Sequence, residues 1–335
     1  MTAHCDLRRC LLTFACLFTS AAPAVAQWRP VTAELVKEQK PGFGGICGVA
    51  VDHKTGDVYI DVSDRGIFRS TDQGKSWKRV GAEIKGRTEW PGCLMLDPVG
   101  GAKKMVVAFV YGGPIAIDLD ASGKWTFLDK KSNHIDWCAV DWTDTDMKLI
   151  FALKHESGDL LIVSRDGGKN FDEVGKGYGP TWVFDSKTAI VAEAKSKTKP
   201  KPRLLRTTDA GKTFEPGPEY TARALPRWHG GKLYWLVEGS LIATADKGES
   251  WQKVGDLKDG RFGPIFGKDG KHLFVLTGAG IVESTDGGMS WSKPIALPKS
   301  MGGVSTLSWI EFDPVHDALY VMKMGSDLYR LDRGK

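Results

Sequence analysis

The eight residues Ser70-Thr71-Asp72-Gln73-Gly74-Lys75-Ser76-Trp77 decide the fold of this chain, because the same phrase recurs along its 335 residues. Each copy reads S/T-x-D-x-G-x-x-W/F. Four more copies lie at 164–171, 207–214, 244–251 and 284–291, and a shortened copy, Asp120-Ala121-Ser122-Gly123-Lys124-Trp125, keeps the aspartate five places before the aromatic residue. A phrase that returns every few tens of residues indicates a fold built from copies of one unit.

The chemistry of the phrase is that of a turn between two strands. The aspartate carboxylate accepts hydrogen bonds from backbone N–H groups across the turn, and the glycine supplies a position with positive φ. The aromatic residue that ends the phrase anchors the next strand. The 40 glycines and 12 tryptophans of the chain agree with an all-β protein of short strands.

The spacing of the phrase predicts a closed ring. Its aromatic residues stand at 77, 125, 171, 214, 251 and 291, and Trp28 precedes them because Trp28-Arg29-Pro30-Val31 is similar to Trp77-Lys78-Arg79-Val80. The chain ends on Leu331-Asp332-Arg333-Gly334-Lys335, which is the first half of another copy, and Gln27-Trp28 supplies the second half. We therefore expect residues 27–335 to form one all-β, seven-bladed β-propeller, closed by the N-terminal strand, which completes the last blade. Strands of the first blade are expected at 46–52, 57–62, 66–70 and 76–80.

The phrase resembles the Asp-box, or BNR repeat, which joins the third and fourth strands of blades in sialidases and related propellers. The resemblance implies that the repeats are structural and that ligands bind on the opposite face. Sialidases also bind the sialic acid carboxylate with three arginines, one of them on the first inner strand, but Gly44-Gly45-Ile46-Cys47-Gly48-Val49 has no arginine. Sialidase activity is therefore not expected. The chain also resembles the photosystem II assembly factors, which are single Asp-box propellers that act as scaffolds, whereas the Asp-box xyloglucanases carry two propellers in tandem.

The first 26 residues have the pattern of a secretory signal peptide, with Arg8 and Arg9 ahead of an apolar stretch and Ala24-Val25-Ala26 as the cleavage motif. This pattern predicts a secreted or periplasmic protein. Loss of Arg8, Arg9 and Asp6 would change the net charge from +5 to +4, which is too mild for nucleic-acid binding. No later apolar run is long enough to cross a membrane, so no integral membrane segment is predicted after cleavage.

Aromatic and basic residues indicate a ligand site at the mouth of the central channel. Trp90, Trp137, Trp182 and Trp228 follow the aromatic residue of the preceding repeat by 11 to 14 positions, so each is expected near the start of an inner strand. Flat aromatic faces beside polar groups suit sugar binding. The predicted ligand-binding residues are therefore these four tryptophans with Arg87, Arg227 and Arg261; the alternative is that the tryptophans are core residues wedged between blades.

The same loops carry titratable groups. A pair of carboxylates across the channel, Asp136 and Glu156, would suit acid and base in glycoside hydrolysis, and His134 with a tyrosine and an arginine would suit a uronate lyase. No zinc signature or phosphate-binding loop is present, so no metal or cofactor is predicted. The predicted function is a binding or scaffold module for a glycan or an extracytoplasmic protein, and the alternative is a glycan-active enzyme, either a hydrolase or a lyase.

Two further features leave alternatives open. Cys47, Cys93 and Cys138 fall on consecutive inner strands, and they form either three buried thiols, one disulfide with a free thiol, or a soft-metal site with His134. Residues 195–203 form a basic segment between the second and third strands of the fourth blade, which either attracts acidic polymers or is a solvated hairpin.

Overall fold

The computed structural model describes residues 27–99, 104–120 and 122–334, so the predicted signal peptide at 1–26 lies outside the described residues. Seven antiparallel sheets follow one another as blades. Inner strands of most neighbouring blades contact each other around a central channel, and the inner strands of the first and last blades also meet, which closes the ring. The prediction of a seven-bladed β-propeller is confirmed. Among the described residues, no helix has the length and apolar character that a membrane crossing requires.

The elements follow in chain order. Strand β1 is Arg29–Pro30 and helix α1 is Ala33–Gln39. The first two blades consist of β2 (Gly48–Val51), β3 (Val58–Asp61), β4 (Ile67–Ser70), β5 (Lys78–Gly81), β6 (Leu94–Leu96), β7 (Met105–Val107), β8 (Ala116–Asp118) and β9 (Thr126–Phe127). The third and fourth consist of β10 (Ile135–Val140), β11 (Ile150–Lys154), β12 (Leu160–Ser164), β13 (Asp172–Gly175), β14 (Tyr178–Val183), β15 (Ala189–Glu193), β16 (Arg203–Thr207) and β17 (Glu215–Glu219).

The remaining blades complete the ring. They consist of β18 (Arg227–His229), β19 (Lys232–Val237), β20 (Ser240–Thr244), β21 (Gln252–Asp256), β22 (Gly260–Phe266), β23 (Leu273–Thr277), β24 (Gly280–Ser284), β25 (Ser308–Asp313), β26 (Ala318–Lys323) and β27 (Tyr329–Asp332). The sixth sheet has three strands and is extended by a bridge between Ile281 and Ile295. The four strands expected in the first blade are confirmed, with ends that differ by at most two residues.

The last blade is built from both ends of the chain. Strand β1 pairs antiparallel with β27, with Arg29 opposite Arg330. The Val31 N–H donates to the Leu328 carbonyl at 2.9 Å, and the Trp28 indole donates to the Ala296 carbonyl at 2.7 Å. The predicted closure by the N-terminal strand is therefore confirmed, and it leaves the last sheet without an unpaired outer edge at β27.

Each full repeat makes the same set of hydrogen bonds. In the first, Asp72 accepts from the Ser76 N–H at 2.9 Å, and the Ser70 hydroxyl donates to Asp72 at 2.8 Å while accepting from the Gly74 N–H at 2.7 Å. Asp166, Asp209, Asp246 and Asp286 repeat these contacts. Donors around the carboxylate, the Asn170 amide foremost, lower the pKa of Asp166 to about 2. The hydrogen bonds of each repeat therefore stabilise the ionised aspartate and hold the turn that joins the third strand of a blade to the fourth.

A second aspartate repeat, absent from the predictions, ends the inner strands. An aspartate at the turn between first and second strands accepts the N–H two residues further on: Asp52 from Lys54 at 2.9 Å, Asp97 from Val99 at 2.7 Å, Asp141 from Thr143 at 2.9 Å, Asp185 from Lys187 at 2.9 Å, Asp269 from Lys271 at 2.8 Å and Asp313 from Val315 at 2.9 Å. The fifth blade has His229 at this place, at the end of β18. These Asx turns keep the connections short around one end of the channel.

The three cysteines are free and buried, as the first alternative for them predicted, and no disulfide links them. The Cys47 thiol donates to Asp61 Oδ2 at 3.1 Å, and the Thr88 N–H donates to the same oxygen at 2.9 Å. Asp61 is fully buried, and its Oδ1 has no hydrogen-bond partner among the described residues. Burial raises the pKa of Asp61 to about 7, although these two donors oppose the shift.

The basic segment at 195–203 is partly neutralised by nearby acids. Lys195 lies 2.9 Å from Glu238, Lys199 lies 2.7 Å from Glu193, and Arg203 lies 3.0 Å from Glu219. All of these side chains except Glu193 are well exposed. The segment is therefore a solvated hairpin with local ion pairs, which contribute little to stability.

Candidate functional site

The ring has two faces. The upper face carries the loops that enter the inner strands and those that join second to third strands, and the lower face carries the remaining turns, including the Asp-boxes. The predicted site residues, expected together on the upper face, lie in four places: Arg87, His134, Asp136 and Glu156 on the upper face of blades two and three, Trp90 and Arg261 at an upper cavity, Trp182, Arg227 and Trp228 in a chamber inside the channel, and Trp137 in the core.

The chamber occupies the lower part of the channel and has a volume of about 400 Å³. Trp182 and Trp228 line it, and their rings are stacked, with centroids 6.2 Å apart and planes 9° from parallel. The exposed residues His53 and Lys54 lie on the first-blade turn that borders the chamber and mark its opening on the lower face. This size is within the range of natural small-molecule sites, about 300–1,000 Å³.

A buried charge pair lies within the chamber. The Arg227 Nη2 is 3.9 Å from Glu311 Oε1, and the guanidinium lies 4.9 Å from the centroid of the Phe262 ring. The Nε and Nη2 atoms of Arg227 are buried without a hydrogen-bond partner among the described residues. Burial raises the pKa of Glu311 to about 7, and the Arg227 charge opposes this rise. Arg227 therefore lacks hydrogen-bond partners at two of its nitrogens, and Glu311 places an acid in the chamber wall.

Two histidines flank the chamber near its opening. His53 lies at the opening, where its side chain is exposed to solvent. The His229 ring stacks on Phe266 with centroids 4.1 Å apart, and burial lowers the pKa of His229. Each of the two histidines therefore brings an imidazole to the lower mouth, and a neutral imidazole both donates and accepts hydrogen bonds.

A partition separates the chamber from a second cavity on the upper face. Leu225 lines both cavities, and a Cβ added to Gly92 would lie 2.9 Å from its Cδ1, so the second and fifth blades meet across the channel here. The upper cavity has a volume of about 290 Å³ and is lined by Trp90, Arg261 and Lys258. Trp90 and Arg261 therefore lie together as predicted, but on the other side of the partition from Trp182 and Trp228.

The remaining predicted residues form an upper cluster on blades two and three. The Arg87 guanidinium lies 4.6 Å from both the Phe43 and Tyr111 ring centroids and 2.8 Å from Glu89. Phe43 is 75% exposed and Tyr111 is 45% exposed. Arg87 therefore holds two solvent-exposed aromatic rings in place through cation–π contacts.

The carboxylates of Asp136 and Glu156 lie on either side of one imidazole. The His155 Nδ1 is 2.6 Å from Asp136 Oδ1, and its Nε2 is 3.7 Å from Glu156 Oε1. The ring centroid of His134 lies 4.9 Å from that of His155. Burial raises the pKa of Asp136, while the hydrogen bond from His155 lowers it. The two carboxylates therefore do not face each other across the open channel, as the expected acid and base would.

Connection lengths explain why the tryptophans separate. Only two residues lie between β13 and β14, so Trp182 is the fifth residue of its strand and reaches the lower end. Twelve residues lie between β5 and β6, so Trp90 stays in the upper loop. Trp137 is the third residue of β10 and only 1% exposed, which places it in the core. The predicted ring of four tryptophans at one mouth is therefore wrong.

Sequence reasoning missed Glu311 and His53 as chamber residues. Glu311 is the one acid before the final aspartate in the strand Ser308–Asp313, and its place among apolar neighbours is a signal that the sequence contains. His53 follows Asp52 directly, and only the second aspartate repeat reveals that this position lies at the lower mouth. His155 is within the upper cluster but was not among the predicted catalytic residues.

Comparisons with known proteins agree with the fold. The family model of the BNR/Asp-box repeat matches residues 68–79. Xyloglucanase Xgh74A of Acetivibrio thermocellus is 24% identical over 322 residues, which cover 78% of this chain and 37% of that protein, so the chain spans well under half of this curated relative.

Three solved structures are similar in fold. YCF48 from Cyanidioschyzon merolae has a TM-score of 0.50 and 11% identity, covering 92% of this chain and 98% of its own; YCF48 bound to D1 peptide has a TM-score of 0.51 and 13% identity, covering 93% and 99%. The ancestral GH74 enzyme AFV00434 has a TM-score of 0.51 and 16% identity, covering 91% of this chain and 46% of its own. The chain thus carries Asp-box repeats on a seven-bladed propeller, and it is similar in sequence to part of one xyloglucanase.

Proposed function

We propose that this protein is a secreted or periplasmic glycan-binding propeller whose chamber takes an oligosaccharide through the lower mouth. The observation that carries the proposal is the chamber itself: a cavity of about 400 Å³ with the Trp182 and Trp228 rings on one side and the incompletely bonded Arg227 and Glu311 inside. The likeness to a xyloglucanase supports a carbohydrate as the ligand.

The chamber offers the two kinds of contact that a sugar needs. The C–H face of a pyranose packs on an aromatic ring, and Trp228 presents such a ring to the cavity. The sugar hydroxyls then reach polar groups deeper in the channel, where Arg227 donates and Glu311 donates or accepts according to its protonation. Because these groups are buried, each unmade hydrogen bond is costly and each bond to a ligand contributes strongly.

Binding is favoured over catalysis by the state of the other acids. Glycoside hydrolysis needs two carboxylates beside the scissile bond. Besides Glu311, the chamber is lined by Asp52 and Asp97, and both accept hydrogen bonds from turn N–H groups, at 2.9 Å from Lys54 and 2.7 Å from Val99. Glu311, with its pKa of about 7, nevertheless has the property of a general acid, and this makes a glycan-active enzyme the second candidate.

Calorimetric titration tests the proposal. The protein is titrated with xyloglucan-derived and galacturonan-derived oligosaccharides, which represent neutral and acidic glycans. We expect one site per chain for at least one of them, with at least tenfold weaker binding in Trp228→Ala and Glu311→Gln. Trp90→Ala is the matched control on the upper face and is expected to bind like wild type.

Two results would overturn the proposal. Absence of binding to every oligosaccharide would redirect the search to a protein partner, as in the YCF48 complex with D1 peptide. Binding that is weakened by Trp90→Ala and unchanged by both chamber variants would move the site to the upper cavity. New reducing ends that are released by wild type and not by Glu311→Gln would establish the second candidate, the enzyme.

A further inference from the structure

The upper cluster contains an arrangement that neither the glycan proposal nor the repeats require. His134 lies in the loop that enters β10, and His155 and Glu156 lie in the loop that joins β11 to β12. One nitrogen of each imidazole and one Glu156 oxygen lie within 4.8 Å of one another. We propose that His134, His155 and Glu156 bind a divalent transition-metal ion of the zinc type on the upper face of the third blade.

Hydrogen bonds already set the tautomers that a metal site needs. The His134 Nδ1 lies 2.9 Å from the Val110 carbonyl, which only accepts, so Nδ1 carries the proton and Nε2 keeps its lone pair in the neutral ring. The His155 Nδ1 donates in the same way to Asp136 at 2.6 Å. Both imidazoles therefore present Nε2 as a ligand atom.

Asp136 is a positioning residue in this arrangement. A carboxylate that accepts the second N–H of a ligating histidine fixes its ring and raises its basicity, and such partners are the rule in zinc sites. The Asp136 side chain is only 13% exposed, so it is held within the fold while Glu156 is 70% exposed and free to turn toward an ion. Asp136 therefore orients His155, and Glu156 binds the ion.

The loops that carry the three residues bring them together beside Tyr111. His134 has φ of 57° and Glu156 has φ of 51°, so two of the three ligands adopt the left-handed conformation that residues other than glycine rarely take. The Tyr111 ring packs against both imidazoles, with its centroid 5.0 Å from that of His134 and 5.9 Å from that of His155.

The ligand set selects the class of ion. Two imidazoles and one carboxylate suit zinc and its first-row neighbours, whereas magnesium and calcium prefer oxygen ligands throughout. Three protein ligands also leave at least one coordination position for water or another ligand, as in catalytic zinc sites. The spacing of 134, 155 and 156 matches no zinc signature, which is why the sequence alone predicted no metal.

Zinc binding is tested by calorimetry and equilibrium dialysis of the metal-free protein with Zn²⁺, in parallel with Mg²⁺. We expect one Zn²⁺ per chain and no Mg²⁺. His155→Gln and Glu156→Gln are expected to weaken binding at least tenfold, and Asp136→Asn by about 10- to 100-fold because it removes the negative charge of the orienting partner. Since Glu156 is well exposed, its variant separates loss of the site from loss of the fold.

His272→Gln is the matched control. His272 also contacts a carboxylate, that of Glu283 at 2.6 Å, but it lies in the sixth blade and belongs to no cluster of three metal-ligating groups among the described residues. Its variant is expected to bind Zn²⁺ like wild type. Zinc binding that survives both His155→Gln and Glu156→Gln, or an absence of binding to the folded wild-type protein, would overturn the proposal. Because the chamber variants Trp228→Ala and Glu311→Gln leave these ligands intact, either proposal can fail without the other.

Discussion

Replacing Asp61 with asparagine should change how stability depends on pH. Asp61 is fully buried beside Cys47 and Thr88, and its pKa is about 7 in the native protein against an ordinary value of 3.8. Between these two values the native state holds a proton that the unfolded chain has released, so stability falls as pH rises through this window. The contribution of the protonated Asp61 carboxyl to stability is fully present below about pH 4 and is lost above about pH 7.

The size of the effect follows from the difference between the two pKa values. Each step of one in pKa is worth about 1.4 kcal/mol, so burial of the ionised carboxylate costs about 4 kcal/mol at pH 8. The asparagine side chain cannot ionise, so the variant is spared this loss. Its amide also leaves a donor without a partner where Oδ1 stands, which costs about 1–3 kcal/mol, but this cost does not vary with pH.

Urea unfolding of the wild type and Asp61→Asn between pH 4 and pH 8 measures the effect. We expect the free energy of unfolding of the variant, relative to wild type, to rise by about 4 kcal/mol across this range. Glu311 also titrates near pH 7 but does so in both proteins, so it cancels from the difference. The exposed Asp172→Asn serves as control and should give a flat difference. A flat difference for Asp61→Asn as well would refute the assignment of a raised pKa to this residue.

Two further predictions concern the repeats and the closure. The pKa of Asp166 is lowered to about 2, so the contribution of its carboxylate to stability is present above pH 3.8 and is lost as pH falls toward 2. Asp166→Ala should therefore lower the unfolding midpoint in urea at pH 7 and lower it less at about pH 2.5. Equal effects at both pH values would contradict this account. Trp28→Ala removes the indole that donates to the Ala296 carbonyl and packs against the core of the last blades. It should lower the free energy of unfolding by about 2 kcal/mol, as measured by calorimetric melting. A change no larger than that caused by Met289→Ala, at an exposed residue, would contradict the role of Trp28 in closure.

The architecture was predictable because its determinants are local in sequence. Each Asp-box contains its own donors and acceptor, as Ser70, Asp72, Gly74 and Ser76 show, so the phrase identifies the turn without knowledge of the rest of the chain. Trp28 showed the closure for the same reason, since it continues a phrase that the C-terminus begins. The blade count then followed from counting copies.

The site was less predictable because it depends on distances along strands that belong to different blades. Trp182 and Trp90 follow their repeats by similar numbers of residues, yet connections of 2 and 12 residues place them at opposite ends of the channel. Trp182 lies three residues before the aspartate that ends its inner strand, Asp185, whereas Trp90 lies seven residues before Asp97. A strand advances about 3.3 Å per residue, so this difference of four residues moves a side chain by about 13 Å. The contact between Arg227 and Glu311 joins blades five and seven, and no local pattern in the sequence records it.

The pairing of β1 with β27 also has a consequence for biosynthesis. Some 300 residues of chain separate the two strands, as the hydrogen bond from Val31 to Leu328 shows. Strand β1 is therefore synthesised long before its partner β27. Until β27 has been made, β1 has no partner strand and β26 keeps an unpaired edge. A chain interrupted before that point therefore exposes two unpaired strand edges, a form that chaperones hold and proteases remove.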